Sequence, residues 1–199
     1  MMNGDTGKWR HLCIDMQRMF AEDTPWHVPW LEPVSANIFA AAERLADHTI
    51  FTRFLPPRKA GDMPGRWRDY YEKWWMMTGE HLPADMTDLV RHLRDFVPPA
   101  TVFDKRTYSP WIDGRLHARL RRDGVNSLVI SGGESDVCVL ATVLGGIDLG
   151  YRVVVLKDAV FSGLDETYDA SLKLLGGRFS THVELCETRE FLSSDRASY

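Results

Sequence analysis

Short apolar runs alternate with amphipathic stretches along most of the chain. Strands are predicted at residues 10–14, 49–52, 100–103, 127–131, 152–156 and 182–185, where apolar residues form runs of strand length. Helices are predicted between them at residues 35–46, 69–76, 88–94, 114–123, 136–149 and 165–175. Such alternation favours a parallel sheet covered by helices on both faces. The predicted fold is α/β, a three-layer α/β/α sandwich around a central, mainly parallel, six-stranded sheet.

Residue types at several predicted helix ends agree with these boundaries. Ser35 and Asp136 are suitable N-cap residues for the first helix and for the helix that carries Cys138. Gly124, Gly150 and Gly176 stand where helices are expected to stop.

Composition limits the classes of protein to which the chain could belong. The 199 residues are 44% hydrophobic, which suits one domain over residues 1–199 with a core from about 10 to 191. The net charge of −4 is spread along the chain, so no nucleic-acid partner is expected. No apolar run is long enough for a membrane span or a signal peptide, and the three cysteines form no CxxC motif. A cytoplasmic protein without a membrane partner is predicted.

An aromatic insert is predicted at about residues 56–84, between the second and third strands. A Pro/Gly-rich loop leads there into RWRDYYEKWWMMTGEHLP, and five of the seven tryptophans lie between Trp26 and Trp75. These side chains could line a substrate pocket or bury themselves in a subunit interface. The interface is the favoured interpretation for Trp74 and Trp75, and both roles are compatible.

Three reactive side chains follow predicted strands. Asp15 ends the first strand, Lys105 ends the third, and Cys138 lies at the start of the helix after the fourth. Charged strand ends are usually solvated and free cysteines are usually buried, but the carboxyl ends of parallel strands share one edge of the sheet. A helix N-terminus and a nearby lysine would lower the thiol pKa, and a carboxylate could move its proton. Together they predict a nucleophilic cysteine site.

From about residue 11 to about residue 191, the chain resembles the isochorismatase-like cysteine hydrolases. The matching segments are IDMQ with Phe20 shortly after it, DKRTYSPW, and GGESDVCVLAT followed by YRVVVLKDA. The family contains amidases that act on nicotinamide, N-carbamoyl and ureido compounds, and isochorismatases, which cleave a vinyl ether. The resemblance implies that Asp15 is the general base and acid, Lys105 its cationic partner and Cys138 the nucleophile.

The resemblance also implies the geometry of the turn before the catalytic helix. A cis peptide is expected between Glu134 and Ser135, aiming the backbone N–H of Ser135 at one oxyanion together with that of Cys138. Gly132 and Gly133 would help the chain to bend there.

The nicotinamidase branch of this family binds a metal through an Asp-x-His motif after the second strand. Residues 52–57 read TRFLPP instead, so no catalytic metal and no cofactor are expected. Candidate substrate-pocket residues are Phe20, Arg53, Tyr108 and Trp111, and one of two nearby arginines, Arg53 or Arg106, is expected to hold a substrate carboxylate.

The predicted function is that of a metal-independent cysteine amidohydrolase acting on a small amide, carbamoyl or ureido compound. Two alternatives stay open: an isochorismatase-type vinyl-ether hydrolase, and a non-catalytic binding protein or thiol redox sensor with the same fold. The resemblance further implies a homodimer or a homotetramer.

Overall fold

Six parallel strands form one sheet in the computed structural model of the protein, which describes residues 7–198. The order across the sheet is β3-β2-β1-β4-β5-β6, and each neighbouring pair is parallel. The strands are β1 (Trp9–Ile14), β2 (Thr49–Phe54), β3 (Thr101–Lys105), β4 (Ser127–Gly133), β5 (Arg152–Phe161) and β6 (Val183–Cys186). All six predicted strands are therefore confirmed. Residues 1–6 and 199, which the predicted domain includes, lie outside the described part. The expectation that the N-terminus carries no signal peptide therefore falls partly on residues that the structure does not describe.

Helices connect the strands, as predicted, and two short ones were not predicted from the sequence. They are α1 (Arg18–Ala21), α2 (Leu31–Arg44), α3 (Arg66–Lys73), α4 (Arg91–Arg94), α5 (Arg115–Arg122), α6 (Cys138–Asp148), α7 (Asp165–Arg178) and α8 (Thr188–Leu192). The unpredicted α1 and α8 have 4 and 5 residues, too few to show a helical period. None of the described helices is long and apolar enough to cross a bilayer.

Two predicted N-caps and one predicted stop are wrong. Helix α2 begins at Leu31, and Ser35 lies within it, where its hydroxyl donates to the Glu32 carbonyl at 2.7 Å. The Asp136 carboxylate does not cap α6, because it accepts a hydrogen bond of 2.6 Å from the Ser162 hydroxyl. Gly176 lies inside α7, which continues to Arg178.

The sheet separates two hydrophobic cores. In β1, Leu12 and Ile14 face the core that contains apolar residues of α5, α6 and α7. Trp9 and Cys13 face the opposite core, which contains apolar residues of α2, α4 and α8. Because successive strand residues point to opposite faces, an apolar strand can serve both layers at once.

A buried histidine joins the three central strands. His11 Nδ1 lies 2.9 Å from Thr49 Oγ1 on β2, and its Nε2 lies 2.8 Å from Ser131 Oγ on β4. Burial lowers the pKa of His11 to about 3, so the ring is neutral at pH 7. His11 is thus a satisfied core residue that holds β1 between its neighbours.

The position of the site follows from the strand order. The chain builds the sheet outward from β1 through β2 to β3, and then crosses back to β4 on the other side. Open α/β sheets bind ligands at the carboxyl ends of the strands where the winding direction changes. Asp15 directly follows β1 at this point, and Cys138 begins the helix after β4.

The segment between β2 and β3 packs around a small hydrophobic core of its own. Its buried members are Met19, Phe54, Met63, Tyr71, Met77 and Leu82, with the partly buried rings of Phe20, Trp26, Trp67, Tyr70 and Trp74 against them. Phe54 ends β2, so this core sits directly on the carboxyl edge of the sheet. The insert therefore covers the edge on which the predicted site lies.

Candidate active site

Lys105 brings the three predicted catalytic side chains together. Its Nζ lies 2.6 Å from Asp15 Oδ2 and 3.6 Å from Cys138 Sγ, and it donates to the Thr107 carbonyl at 3.1 Å. Asp15, Lys105 and Cys138 are only 2%, 5% and 8% exposed. The structure thus places a carboxylate, an ammonium and a thiol within one water-poor space.

Asp15 is held tightly at the end of β1. The Thr52 hydroxyl donates to Asp15 Oδ1 at 2.6 Å and accepts from the Asp15 backbone N–H at 3.1 Å. Within residues 7–198, Asp15 is also the one non-glycine residue with a positive φ, 50°, a conformation that costs about 1–3 kcal/mol. Thr52 was missed as a site residue, although it stands on β2 beside the end of β1, and the strand order alone would have indicated it.

The ammonium of Lys105 stays charged despite its burial. Burial lowers the pKa of Lys105, but the charges of Asp15 and Cys138 outweigh that effect and raise it above its usual value. The Nζ also lies 5.0 Å from the centre of the Phe54 ring, a cation–π contact. Lys105 is therefore a permanent cation between the carboxylate and the thiol.

The predicted lowering of the Cys138 pKa is wrong. Burial raises the pKa of the thiol well above its usual value, and the charge of Lys105 offsets only part of that shift. The neighbouring Asp15 carboxylate raises it further. In the free protein the thiol is thus protonated.

The turn before α6 differs from the predicted one by one residue. The cis peptide joins Gly133 to Glu134, not Glu134 to Ser135. The Ser135 N–H donates to the Phe161 carbonyl at 2.6 Å, so it cannot bind an oxyanion as predicted. This bond continues the pairing of β4 with β5, which prediction from local sequence could not anticipate. The backbone N–H groups of Cys138 and Glu134 donate to no acceptor within residues 7–198.

Gly132 and Gly133 allow this turn to form. Gly132 has a φ of +97°, and a Cβ there would collide with the backbone of Ile14. A Cβ on Gly133 would collide with the ring of Phe161. Gly132 is thus required for the close approach of β4 to β1, and Gly133 leaves room for the Phe161 ring, whereas their predicted role was to help the chain to bend.

Of the predicted pocket residues, Tyr108 packs against the hydrophobic cluster that contains Cys138. Its ring centre is 4.8 Å from that of Trp67 and 6.2 Å from that of Phe54. Burial raises the pKa of Tyr108, and the charges of Cys138 and Lys105 also act on it. The tyrosine therefore stands between the aromatic insert and the thiol.

Two other predicted pocket residues, Phe20 and Trp111, contact the core of the insert and helix α6, respectively. The Phe20 ring stacks on Trp26 at 6.2 Å and joins the core of the insert. Trp111 Nε1 donates to the Thr142 carbonyl at 2.9 Å, and its ring stacks on Tyr151 at 5.7 Å. Trp111 thus anchors α6 from outside, which was not its predicted role.

Arg53 does not present a free cation to a substrate. Its guanidinium binds Asp104 at 2.7 Å and Asp88 at 2.9 Å. The predicted role of Arg53 in holding a substrate carboxylate is therefore not supported. Arg53 lies near the end of β2, and its guanidinium, which has donors only, cannot act as a metal ligand. Within residues 7–198, no three His, Cys, Asp or Glu side chains cluster as metal ligands do.

Comparison with known proteins places the chain among relatives of varied activity. Secreted isochorismatase effector Isc1 of Phytophthora sojae is 31% identical over 109 residues, which cover 53% of this chain and 51% of that protein. Nicotinamidase 3 of Arabidopsis thaliana is 25% identical over 189 residues, 91% of this chain and 87% of that protein. The chain thus spans about half the length of Isc1 but most of the nicotinamidase.

A solved structure shows the same fold over nearly the whole chain. The cysteine hydrolase from Pseudomonas syringae pv. phaseolicola superposes with a TM-score of 0.78 and 23% identity, and the match covers 96% of this chain and 92% of that one. The model of the Isochorismatase domain matches residues 11–185, including Asp15, Lys105 and Cys138. The chain therefore belongs to the isochorismatase family.

Proposed function

We propose that the protein is a metal-independent cysteine hydrolase that cleaves a C–N bond of a small amide, carbamoyl or ureido compound. The observation that carries the proposal is the position of Lys105 Nζ, 2.6 Å from the Asp15 carboxylate and 3.6 Å from the Cys138 sulfur. A base, a cation and a thiol in contact form the usual arrangement for nucleophilic catalysis. The nicotinamidase among the relatives agrees with an amide substrate.

In the first step, Asp15 accepts the thiol proton while Cys138 Sγ attacks the substrate carbonyl carbon. The raised pKa of Cys138 makes this coupled transfer necessary, because little thiolate exists beforehand. Lys105 stabilises the negative charge as it moves from carboxylate to sulfur. The unpaired N–H groups of Cys138 and Glu134 are the donors for the oxyanion, replacing the predicted Ser135.

In the second step, the tetrahedral intermediate collapses and the C–N bond breaks. The protonated Asp15 returns its proton to the departing nitrogen, so that ammonia or an amine leaves and the acyl group stays on Cys138. Asp15, again ionised, then takes a proton from water as the water attacks the thioester. The acid is released, and the proton passes back to the Cys138 sulfur.

The pocket proposed for this substrate is aromatic and small. Tyr108 and the insert side chains Trp67, Tyr70 and Tyr71 pack against one another with ring centres 4.8–6.5 Å apart. Burial raises the pKa values of all three tyrosines above the usual value, and an ionised Cys138 would raise them further. Such walls favour a flat compound without a long chain.

Hydrolysis of a panel of amides, carbamoyl and ureido compounds, with isochorismate included, tests the proposal. We expect ammonia or amine release that persists after chelation and falls about a thousandfold or more in Cys138→Ala. Cys186→Ala is the matched control, because Cys186 is also buried but lies at the end of β6.

The other outcomes separate the alternatives. Isochorismate cleavage that survives Cys138→Ala but not Asp15→Asn would assign the protein to the vinyl-ether branch. No turnover on any compound, with Cys138 reactive toward oxidants, would favour the binding or redox alternative.

A further inference from the structure

Glu134 places a second carboxylate at the rim of the site. It directly follows β4, and its side chain is half-buried. Its Oε2 lies beside Gly163, where an added Cβ would be 3.2 Å away. Gly163 follows the end of β5, so the Glu134 side chain lies along the carboxyl edge of the sheet, the edge that carries Asp15 and Cys138.

Glu134 shares the electrostatic environment of the catalytic residues. Burial raises the pKa of Glu134, the charges of Asp136 and Asp15 raise it further, and a hydrogen bond from the Gly163 backbone N–H offsets part of this rise. Burial is also the main cause of the raised pKa of Tyr108, to which the charges of Cys138 and Glu134 both contribute. The Glu134 carbonyl also accepts a hydrogen bond of 3.0 Å from the N–H of Val139, the residue after Cys138, so Glu134 lies close enough to affect what can approach Cys138.

No cation neutralises this carboxylate in the described part of the chain. The charged groups that act on Glu134 are themselves acidic, and the nearby ammonium of Lys105 is bound to Asp15 at 2.6 Å. Arg106 is exposed and acts on the pKa of Tyr71, not on that of Glu134. A half-buried carboxylate without a counter-charge destabilises the folded protein, so a ligand that supplies the positive charge would offset that cost.

We propose that Glu134 selects substrates that carry a cationic nitrogen, such as an ammonium or guanidinium group, near the scissile C–N bond. The proposal rests on the function above, because it places the substrate at Cys138. It reverses the expectation of a substrate carboxylate held by Arg53, whose guanidinium is already paired. It also disfavours isochorismate, which carries two carboxylates that Glu134 would repel.

Charged thiol reagents test this inference without knowledge of the substrate. Aminoethyl methanethiosulfonate is a cation and sulfonatoethyl methanethiosulfonate an anion of similar size. Each transfers its thioalkyl group to a thiol and releases methanesulfinate. Mass spectrometry of the Cys138 peptide gives both rate constants. We expect the cation-to-anion ratio of these constants to fall about tenfold or more in Glu134→Gln.

Two variants make the result specific. Glu166→Gln is the matched control, because Glu166 is an exposed carboxylate in the first turn of α7, and we expect it to keep the wild-type ratio. Glu134→Asp retains the charge and should restore most of the ratio, which a merely structural role would not predict. The same ratio in Glu134→Gln and Glu166→Gln would overturn the inference.

Steady-state turnover of a cationic and a neutral amide tests the role of Glu134 separately from the proposed reaction. On 4-(aminomethyl)benzamide and its neutral isostere 4-ethylbenzamide, we expect a higher kcat/KM for the cation, and a smaller preference in Glu134→Gln. Equal, Cys138-dependent turnover of both amides would overturn the inference and leave the hydrolase assignment intact. A reagent ratio that depends on Glu134, with no turnover of any amide, carbamoyl or ureido compound, would contradict the hydrolase assignment and leave only a preference for cations at Cys138.

Discussion

Burial keeps Cys138 protonated, and this condition determines what its neighbours must do. A thiol at a helix N-terminus is usually activated in advance, but here desolvation outweighs the charge of Lys105. In the proposed mechanism, Asp15 is then a base that acts during attack, and Thr52 and Lys105 orient its carboxylate. The Asp15 carboxylate is thus in position to accept the proton before any thiolate has formed.

The protonation state of Cys138 predicts a distinctive pH profile for its alkylation. Because its pKa is raised, we expect the rate of alkylation by iodoacetamide to keep rising with pH beyond pH 9, the ordinary thiol value, without a plateau near neutrality. The rate is measured by mass spectrometry of the Cys138 peptide. A plateau between about pH 6 and pH 7 would contradict this prediction, since it would indicate a thiolate formed in advance.

Tyr71 gives a second prediction at the scale of one residue. It is fully buried, and its hydroxyl has no hydrogen-bond partner in the described structure, which costs about 1–3 kcal/mol. We expect Tyr71→Phe to stabilise the free protein by about 1 kcal/mol and to raise KM, because the hydroxyl is then missing from the pocket. Thermal unfolding and steady-state kinetics measure the two effects.

Tyr151→Phe is the control for that comparison. Its hydroxyl is bound to His117 Nδ1 at 2.9 Å, so its removal should lower stability and leave KM unchanged. A Tyr71→Phe variant that loses stability with unchanged KM would show that the hydroxyl has a structural partner and no role in binding.

At the scale of elements, the turn from β4 to α6 positions Cys138, the proposed nucleophile. It combines a positive φ at Gly132, a cis bond after Gly133 and the Ser135 N–H bound to β5. Gly132 and Ser135 each contact a neighbouring strand, through Ile14 of β1 and Phe161 of β5. The turn and the strands beside it therefore form one unit.

Gly132→Ala is predicted to disrupt this unit. The added Cβ would collide with the Ile14 backbone at a φ of +97°, and we expect a loss of about 3 kcal/mol or more in unfolding free energy. Activity should fall with it, because Ile14 directly precedes Asp15. Chemical denaturation with kinetics on the folded fraction is the measurement.

Gly177→Ala is the matched control. Gly177 lies in α7, and a Cβ there would meet nothing within 4 Å. We expect no loss of stability, or a gain of up to about 1 kcal/mol from better helix propensity. Equal effects of the two substitutions would contradict the assigned role of Gly132.

At the scale of the whole molecule, the aromatic insert has both an inner and an outer side. Tyr71 is buried in it, whereas Trp75 is 52% exposed and Met76 37% exposed. The inner side supports the pocket, and exposed apolar side chains of this size favour contact with another subunit. We propose that both predicted roles of the insert hold, on opposite sides.

An interface at this outer side predicts a change of assembly on mutation. We expect light scattering to give the mass of a dimer or tetramer for the wild type and a lower mass for Trp75→Glu. Ile112→Glu is the control, because Ile112 is 74% exposed and lies outside the insert. A monomeric wild type, or a mass that Trp75→Glu does not change, would contradict the proposed interface.

Local pattern alone determined the six strands, most of the helices and the three catalytic candidates, because strand-length apolar runs and the residues that follow them are properties of neighbouring positions in the chain. Only the tertiary structure decided which groups meet. The strand order placed Thr52 beside Asp15, the pairing of β4 with β5 occupied the Ser135 N–H, and two aspartates from other segments neutralised Arg53. Burial, which no local pattern measures, reversed the expected shift of the Cys138 pKa.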